Sequence, residues 1–264
     1  MALIKTEDLI TSVADSLQFI SYYHPTDFVQ AMHRAYQKEK NPAARDAIGQ
    51  ILINSRMCAV GKRPICQDTG IVTAFVKLGM KCSFDSDKTI QEMIDEGAAR
   101  AYSHPDNPLR KSIVAPAAFG RSNTRNNTPA VIHVEMVEGD KVEVHIAAKG
   151  GGSENKSKMA MLTPADSIVE WIKKTVPLMG AGWCPPGILG VGIGGTADKA
   201  MCLAKASLMD PVDMHELMER GPADKLEELR IEIFEAVNSL GIGAQGLGGL
   251  TTVLDVKIRD YPTH

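Results

Sequence analysis

Apolar positions in the first sixty residues recur at helical spacing. Leu9, Ile10, Val13 and Leu17 make one stripe, and Phe28, Met32 and Tyr36 make a second. A third helix is predicted from Ala43 to Ser55, carrying Ile48 and Leu52. Gly61, Pro64 and Gly70 then break the periodicity around Cys66. The short run Ile71–Leu78, rich in branched side chains, predicts a strand, and Thr89–Tyr102 returns to helical spacing. Residues 103–129 hold Pro105, Pro108, Pro116 and Pro129 among many Asn, Ser and Arg residues, the signature of a long functional or disordered loop.

Two alternating runs follow, Ala130–Val137 and Lys141–Ala147, joined by Glu138-Gly139-Asp140. That pattern predicts a hairpin. Thr163-Pro164-Ala165-Asp166 has the form of a helix start, with the helix running to about Val176, before Pro177. Ile188–Ile193 suits a short buried strand and Thr196–Met209 a helix. Asp210-Pro211 restarts a helix interrupted at Gly221-Pro222 and continued over Leu226–Leu240, with Gly241 at the capping position. Thr252–Ile258 is a last strand. Helices, a hairpin and isolated strands in this order predict an α+β fold: a helical N-terminal region packed with a mixed or antiparallel sheet, and glycine-rich loops between. The whole of 1–264 is expected to act as one domain, with a helical lead-in at about 1–60.

Composition narrows the function classes. A net charge of −3 over 264 residues gives no electrostatic reason to expect nucleic acid or an anionic membrane as partner. No apolar run approaches the roughly 18 residues of a membrane span, and the N-terminus lacks the basic and apolar regions of a secretory signal. Five scattered cysteines, an odd number, argue for a reducing cytoplasm over a disulfide framework.

Chemistry concentrates in four glycine- or proline-rich segments between regular elements. They are Pro64-Ile65-Cys66-Gln67-Asp68-Thr69-Gly70, Lys149-Gly150-Gly151-Gly152-Ser153-Glu154-Asn155-Lys156, Gly182-Trp183-Cys184-Pro185-Pro186-Gly187 and Gly241-Ile242-Gly243-Ala244-Gln245-Gly246. Such loops cost conformational entropy, so their abundance suggests backbone brought close to a ligand. Cys66 and Cys184 sit in loops of the kind that shape a thiolate ligand, whereas Cys58, Cys82 and Cys202 fall in or beside predicted helices and strands. Spacing alone does not mark the pair as ligands, because no Cys-x-x-Cys occurs and buried thiols are commonly inert.

In sequence and order the four segments resemble those of class I, iron–sulfur fumarate hydratases, and several are shared with the similar tartrate dehydratase α subunits. The resemblance covers essentially the whole chain. It implies a hydro-lyase of the tricarboxylic acid cycle type, hydrating fumarate to malate with a 4Fe–4S cluster held by three cysteines and one iron left open. Cys66 and Cys184 match two of the metal ligands; the third is expected beyond His264, and none of the other cysteines matches it. By the same resemblance Gln67, Asp68, Arg110, Gly152 and His264 bind a small dicarboxylate substrate, with Asp68 and His264 catalytic. The rest of the site is expected from a C-terminal domain or a β subunit, and the complete enzyme is expected to be a homodimer.

The residue types suit those roles. A dianionic substrate calls for donors and positive charge around it. Arg110 suits a bidentate carboxylate clamp, Gly152 lets a backbone N–H approach an anion, Asp68 suits an acid/base or orienting role, and His264 suits a hydrogen-bond donor. Each has a plainer reading: a solvated arginine, or an aspartate capping a turn. His133 and His145 read as structural, Trp183 as core, and Lys149, Lys156 and Lys158 as a solvated basic edge or a source of local positive potential. Arg125 stands where many of the resembling enzymes carry Gly or Lys.

Three alternatives remain open at this stage. Tartrate or mesaconate fits the same substrate motifs. Gly190, Gly192 and Gly195 form a literal Gly-x-Gly-x-x-Gly with Asp210 downstream, the mark of an NAD-binding oxidoreductase, although no βαβ unit with a parallel strand is predicted to follow. A non-catalytic fragment is the third.

Overall fold

The computed structural model describes residues 2–264. In chain order its elements are β1 (Ala2–Ile4), α1 (Thr6–Tyr22), α2 (Thr26–Lys38), α3 (Pro42–Gly61), β2 (Ile71–Gly79), β3 (Cys82–Phe84), α4 (Ile90–Tyr102), β4 (Val114–Ala115), β5 (Ser122–Asn123), β6 (Val131–Val137) and β7 (Val142–Lys149). There follow α5 (Gly151–Glu154), α6 (Ile168–Leu178), β8 (Gly187–Gly194), α7 (Ala197–Ser207), α8 (Met214–Arg220), α9 (Lys225–Asn238), a 3-10 turn at Ala244–Gly246 and β9 (Val253–Tyr261). The α+β expectation holds. The chain forms two compact units: one takes the segment ending at Tyr23 together with Ser55–Gly151, the other His24–Asn54 together with Gly152–His264.

In the first unit, α1 and α4 cover one face of a three-stranded sheet ordered β6-β2-β7. The predicted helical stripe of α1 is its buried face: Leu9, Ile10, Val13 and Leu17 pack with Met93 and Ile94 of α4 and Val72, Ala74 and Val76 of β2. Each such buried aliphatic side chain contributes about 1.5–3 kcal/mol. Thr89 caps α4 reciprocally, its hydroxyl accepting from the Glu92 N–H while the Glu92 carboxylate accepts from the Thr89 N–H.

The predicted hairpin is not formed. The strands expected to pair, β6 and β7, lie on opposite sides of β2, which runs parallel to β6 and antiparallel to β7. The Glu138-Gly139-Asp140 turn bridges over the end of β2, where Gly79 N–H donates to Lys141 O, Met80 N–H to Val137 O and Lys81 N–H to Gly139 O, each at 2.9 Å. A strand as buried as β2 needs ladder partners on both edges, and a turn signal between its neighbours cannot reveal a strand inserted from sixty residues upstream. The long loop holds only the two-residue ladder β4–β5, and β1 pairs with β3.

In the second unit, α6, α8 and α9 pack with β9 through Ile172, Val176, Met214, Leu217, Ile233, Val237, Val253 and Val256. A second cluster joins Ala31, Met32 and Ala35 of α2 and Ala44 and Ile48 of α3 to Leu254. The helix predicted from Thr163 instead starts after Ser167, whose hydroxyl accepts from the Glu170 N–H at 3.2 Å. The Asp166 carboxylate closes back onto the Thr163 N–H at 2.7 Å, making an isolated turn of the expected cap. The helix runs through Pro177 to Leu178. Asp210-Pro211 starts no helix either: α8 begins at Met214, and the Asp210 carboxylate pairs with Arg259 at 2.6 Å. Gly241 does adopt the left-handed conformation, φ 66°. The parallel strand not expected after the glycine motif is present, since β9 pairs in parallel with β8 over Gly187–Gly194.

Candidate active site

The Cys66 loop lies in the first unit, between the end of α3 and β2. Its thiol is exposed and donates to Gln67 Oε1 at 3.1 Å, while the Asp68 N–H points at Cys66 Sγ at 3.4 Å. An N–H directed at sulfur stabilises a thiolate. The Asp68 carboxylate is held by backbone donors, Gly70 N–H at 3.3 Å and Gly151 N–H at 2.8 Å. Through that second bond the first motif meets the start of the second. Gly70, at φ 84°, lies so close to Ala148 and Lys149 that a Cβ would sit 2.6 Å from the Ala148 carbonyl carbon.

The loop is anchored from beneath. Tyr102, fully buried on α4, donates its hydroxyl to the Thr69 carbonyl, and Asn127 Nδ2 donates to Gly70 O at 3.1 Å. Burial, with the Asp68 charge as a second cause, holds the Tyr102 phenol far above its ordinary pKa, so it stays a donor. Thr69 Oγ1 donates to Arg110 O at 2.6 Å, which fixes the Arg110 backbone beside the cysteine loop. Among the described residues the exposed Arg110 guanidinium has no hydrogen-bond or ion-pair partner. Cys66, Gln67, Asp68 and Arg110 are therefore brought together.

Gly152 and Cys184 belong to the second unit and are neighbours there. A Cβ at Gly152 would sit 2.6 Å from Gly182 O, in the loop leading to Cys184. Cys184 is exposed and has φ 59°, and its N–H donates to Ala181 O at 2.9 Å. The fourth motif supports the third: Gln245 donates its backbone N–H at 2.6 Å and its Nε2 at 2.9 Å to Pro185 O. Trp183 is buried in the core, as expected. His264 is exposed three residues beyond β9 and makes no hydrogen bond to Gly152 or Cys184 among the described residues.

The remaining motif residues take the plainer roles. Gly190 and Gly192 face α7 so closely that a Cβ would lie 2.1 Å from Ala204 O or 1.9 Å from Ala200 O. Helix backbone fills the space a pyrophosphate would need, and both glycines sit inside β8 instead of in a turn after it. His133 stacks on Phe75 at 4.8 Å, and His145 pairs with Glu143. Lys156 packs its stem against Gly182.

Each of the two motif thiols is open to solvent in its own unit. Cys66 and Cys184 are exposed, while Cys58 is buried on α3 and Cys82 and Cys202 are half-buried on β3 and α7. Among the described residues no three His, Cys, Asp or Glu side chains gather into a metal site. Tyr102 and Asn127 are positioning residues that the sequence reading missed. Tyr102 ends a helical stripe and reads as core, and Asn127 sits in an irregular loop where no periodicity marks burial.

A family model described as fumarate hydratase (Fumerase) matches residues 10–264. The chain is 36% identical over 259 residues to a protein of Methanocaldococcus jannaschii named "Putative L(+)-tartrate dehydratase subunit alpha", covering 96% of this chain and 88% of that one. It is 28% identical over 266 residues to the L(+)-tartrate dehydratase subunit alpha of Escherichia coli strain UTI89, covering 96% and 82%. The corresponding subunit of strain K12 is 27% identical over the same length.

Proposed function

From the premise that this chain belongs to the fumarate hydratase (Fumerase) family and is a hydro-lyase, we propose that it catalyses the reversible hydration of fumarate to malate. The observation that carries the reading is the Cys66 loop: an exposed thiol next to Asp68, with the unpartnered guanidinium of Arg110 tied alongside.

Cys66 and Cys184 would hold a 4Fe–4S cluster through their thiolates. When bound, the cluster supplies an open iron that acts as a Lewis acid toward a substrate oxygen. The other roles fall to the chain. Arg110 takes one substrate carboxylate in a bidentate pair, and the Gly152 N–H and His264 donate to the dianion. Gln67, released when the Cys66 thiol ionises, turns its amide N–H toward substrate. Asp68, fixed by two backbone donors, orients the carrier that delivers a proton to one alkene carbon as hydroxide adds to the other. A C-terminal domain or β-type partner completes the site, as the α-subunit names of the relatives suggest. Five free cysteines favour a cytoplasmic setting, and among the described residues no helix is long and apolar enough to cross a membrane.

The names of the relatives favour a second substrate reading, dehydration of L-tartrate. Malate and tartrate share two carboxylates and a hydroxyl next to a C–H, so both suit the same clamp; mesaconate differs from fumarate by one methyl. The test is anaerobic iron–sulfide reconstitution of the protein with a β-type partner present, followed by fumarate, L-tartrate and mesaconate consumption. Brown colour and fumarate loss are expected, with colour abolished by Cys66→Ser or Cys184→Ser and kept in Cys202→Ser. Colourless protein that leaves all three substrates untouched overturns the reading, and turnover of tartrate alone selects the second.

A further inference from the structure

The loops that carry Cys66 and Arg110 both hang on one face of α1. Ser21 O accepts at 2.8 Å from the N–H of Ile65, the residue before Cys66. Three residues earlier on the same face, Gln18 grips Asn107, which stands three residues before Arg110. The grip has two points. Gln18 Nε2 donates to Asn107 O at 3.1 Å, and Gln18 Oε1 accepts from Asn107 Nδ2 at 3.0 Å. Gln18 Nε2 also donates to Ala101 O, in the last turn of α4, at 2.6 Å. Asn107 Nδ2 reaches Ser21 Oγ at 3.3 Å, which links the two attachments. At the surface the Arg63 guanidinium donates to Asp106 O at 2.7 Å and joins the loops directly.

The amide pair is buried, with Gln18 9% and Asn107 5% exposed. Asn107 Oδ1 is buried too and has no donor among the described residues. An orphaned acceptor opposes folding, and an aliphatic side chain would fill the same space without that penalty. What the two amides add to packing is direction: together they fix where residue 107 lies along α1. From there the chain has little freedom. Pro108 fixes its own φ, Leu109 is buried with its N–H on Tyr102 O at 3.3 Å, and Arg110 O accepts from Thr69. The Arg110 guanidinium therefore starts from a point set by Gln18.

We propose that Gln18, acting through Asn107, is a positioning residue that sets the reach of the Arg110 guanidinium toward a substrate carboxylate beside Cys66. The assignment rests on Arg110 being the carboxylate clamp.

The test is a kinetic cycle on the protein reconstituted with a β-type partner, using the dicarboxylate it consumes. Gln18→Met keeps the length of the side chain and removes its hydrogen bonds; KM should rise roughly tenfold with kcat nearly unchanged. Arg110→Ala should raise KM at least as far, and adding Gln18→Met to it should raise KM no further. Asn107→Ala removes the other half of the grip together with the orphaned oxygen, and should repeat the pattern if Gln18→Met does not fold. On the chain alone, the Leu109 amide should exchange about tenfold faster in either variant, while Ala74 and Val76 of β2 keep their protection. An unmoved KM in both variants, a rise that adds in full to that of Arg110→Ala, or exchange that quickens equally in β2 overturns the positioning role and leaves the clamp standing. An Arg110→Ala protein with unchanged KM overturns the clamp, and the positioning role with it.

Discussion

The residues proposed to bear chemistry and the residues that hold their loops differ in how plainly they declare themselves. Cys66, Asp68 and Arg110 stood out as candidates because their segments resemble those of iron–sulfur fumarate hydratases, and the fold places the three side by side, whereas spacing and composition alone left plainer readings open. Tyr102 did not, since an aromatic at the end of a helical stripe is indistinguishable from core until its hydroxyl is seen to meet the Thr69 carbonyl. Removing that hydroxyl leaves a buried acceptor without its donor while keeping the ring. Tyr102→Phe should therefore lower stability by about 1–2 kcal/mol, read as a reduced urea midpoint at unchanged m-value. An unchanged midpoint would show that the hydroxyl does not anchor the loop. Cys184 was legible as a ligand candidate, but its left-handed backbone and the hold of Gln245 on Pro185 follow from long-range closure that no local pattern encodes.

Element boundaries were readable where a side chain announces them and misleading where two signals compete. Periodicity gave α1, α2 and α4, but at Thr163 the aspartate that looked like a first-turn acid closes its own turn, and Ser167 caps the helix. The β8 glycines mimic a dinucleotide motif because tight strand–helix packing and close phosphate approach both demand a missing Cβ. The two uses separate on substitution. Gly192→Ala should cost about 3 kcal/mol or more by driving a methyl into the Ala200 carbonyl, measured by thermal unfolding, and wild type should bind no NAD by calorimetry. The charges along β9 yield a pH prediction. Asp255 is fully buried, accepts from Asp213 N–H at 2.8 Å, and pairs with Arg230 and Lys257, which both also reach Asp213. Burial pulls the Asp213 carboxyl upward, but its hydrogen bonds to Arg230 and Lys257 outweigh this and hold its pKa below the ordinary value. The unfolded chain then binds the proton first, so this contribution is present above about pH 4 and is lost as pH falls further. Asp213→Asn should weaken the protein at pH 7 and converge with wild type in acid, as urea midpoints across that range would show. A constant gap would remove Asp213 from the account.

At the scale of the whole chain, the helical lead-in read as one block is divided by the fold. Its first helix packs in one unit, while α2 and the start of α3 pack in the other, against a strand two hundred residues downstream. Helical periodicity tells which face is buried but not against what, because the partner is chosen by shape and polar closure elsewhere in the chain. Glu39 supplies that closure. It is 4% exposed; its Oε1 accepts from the Lys40 and Asn41 N–H groups, both at 2.9 Å, and its Oε2 accepts from Leu250 N–H at 2.8 Å. Asn41 in turn caps α3 through Ala43 N–H at 3.0 Å and donates to Leu247 O at 3.1 Å. A single carboxylate thus ties the turn between two early helices to the glycine-rich approach to β9, and the sequence shows only a glutamate in a charged run. Glu39→Ala strands three N–H donors and should lower stability by about 3 kcal/mol or more, while Glu39→Gln, keeping one acceptor oxygen, should cost less. The discriminating readout is amide exchange: Leu250, Lys40 and Asn41 should lose protection together in Glu39→Ala. If Leu250 keeps its protection while the midpoint falls, the carboxylate serves only its own turn and something else holds the glycine-rich segment in place.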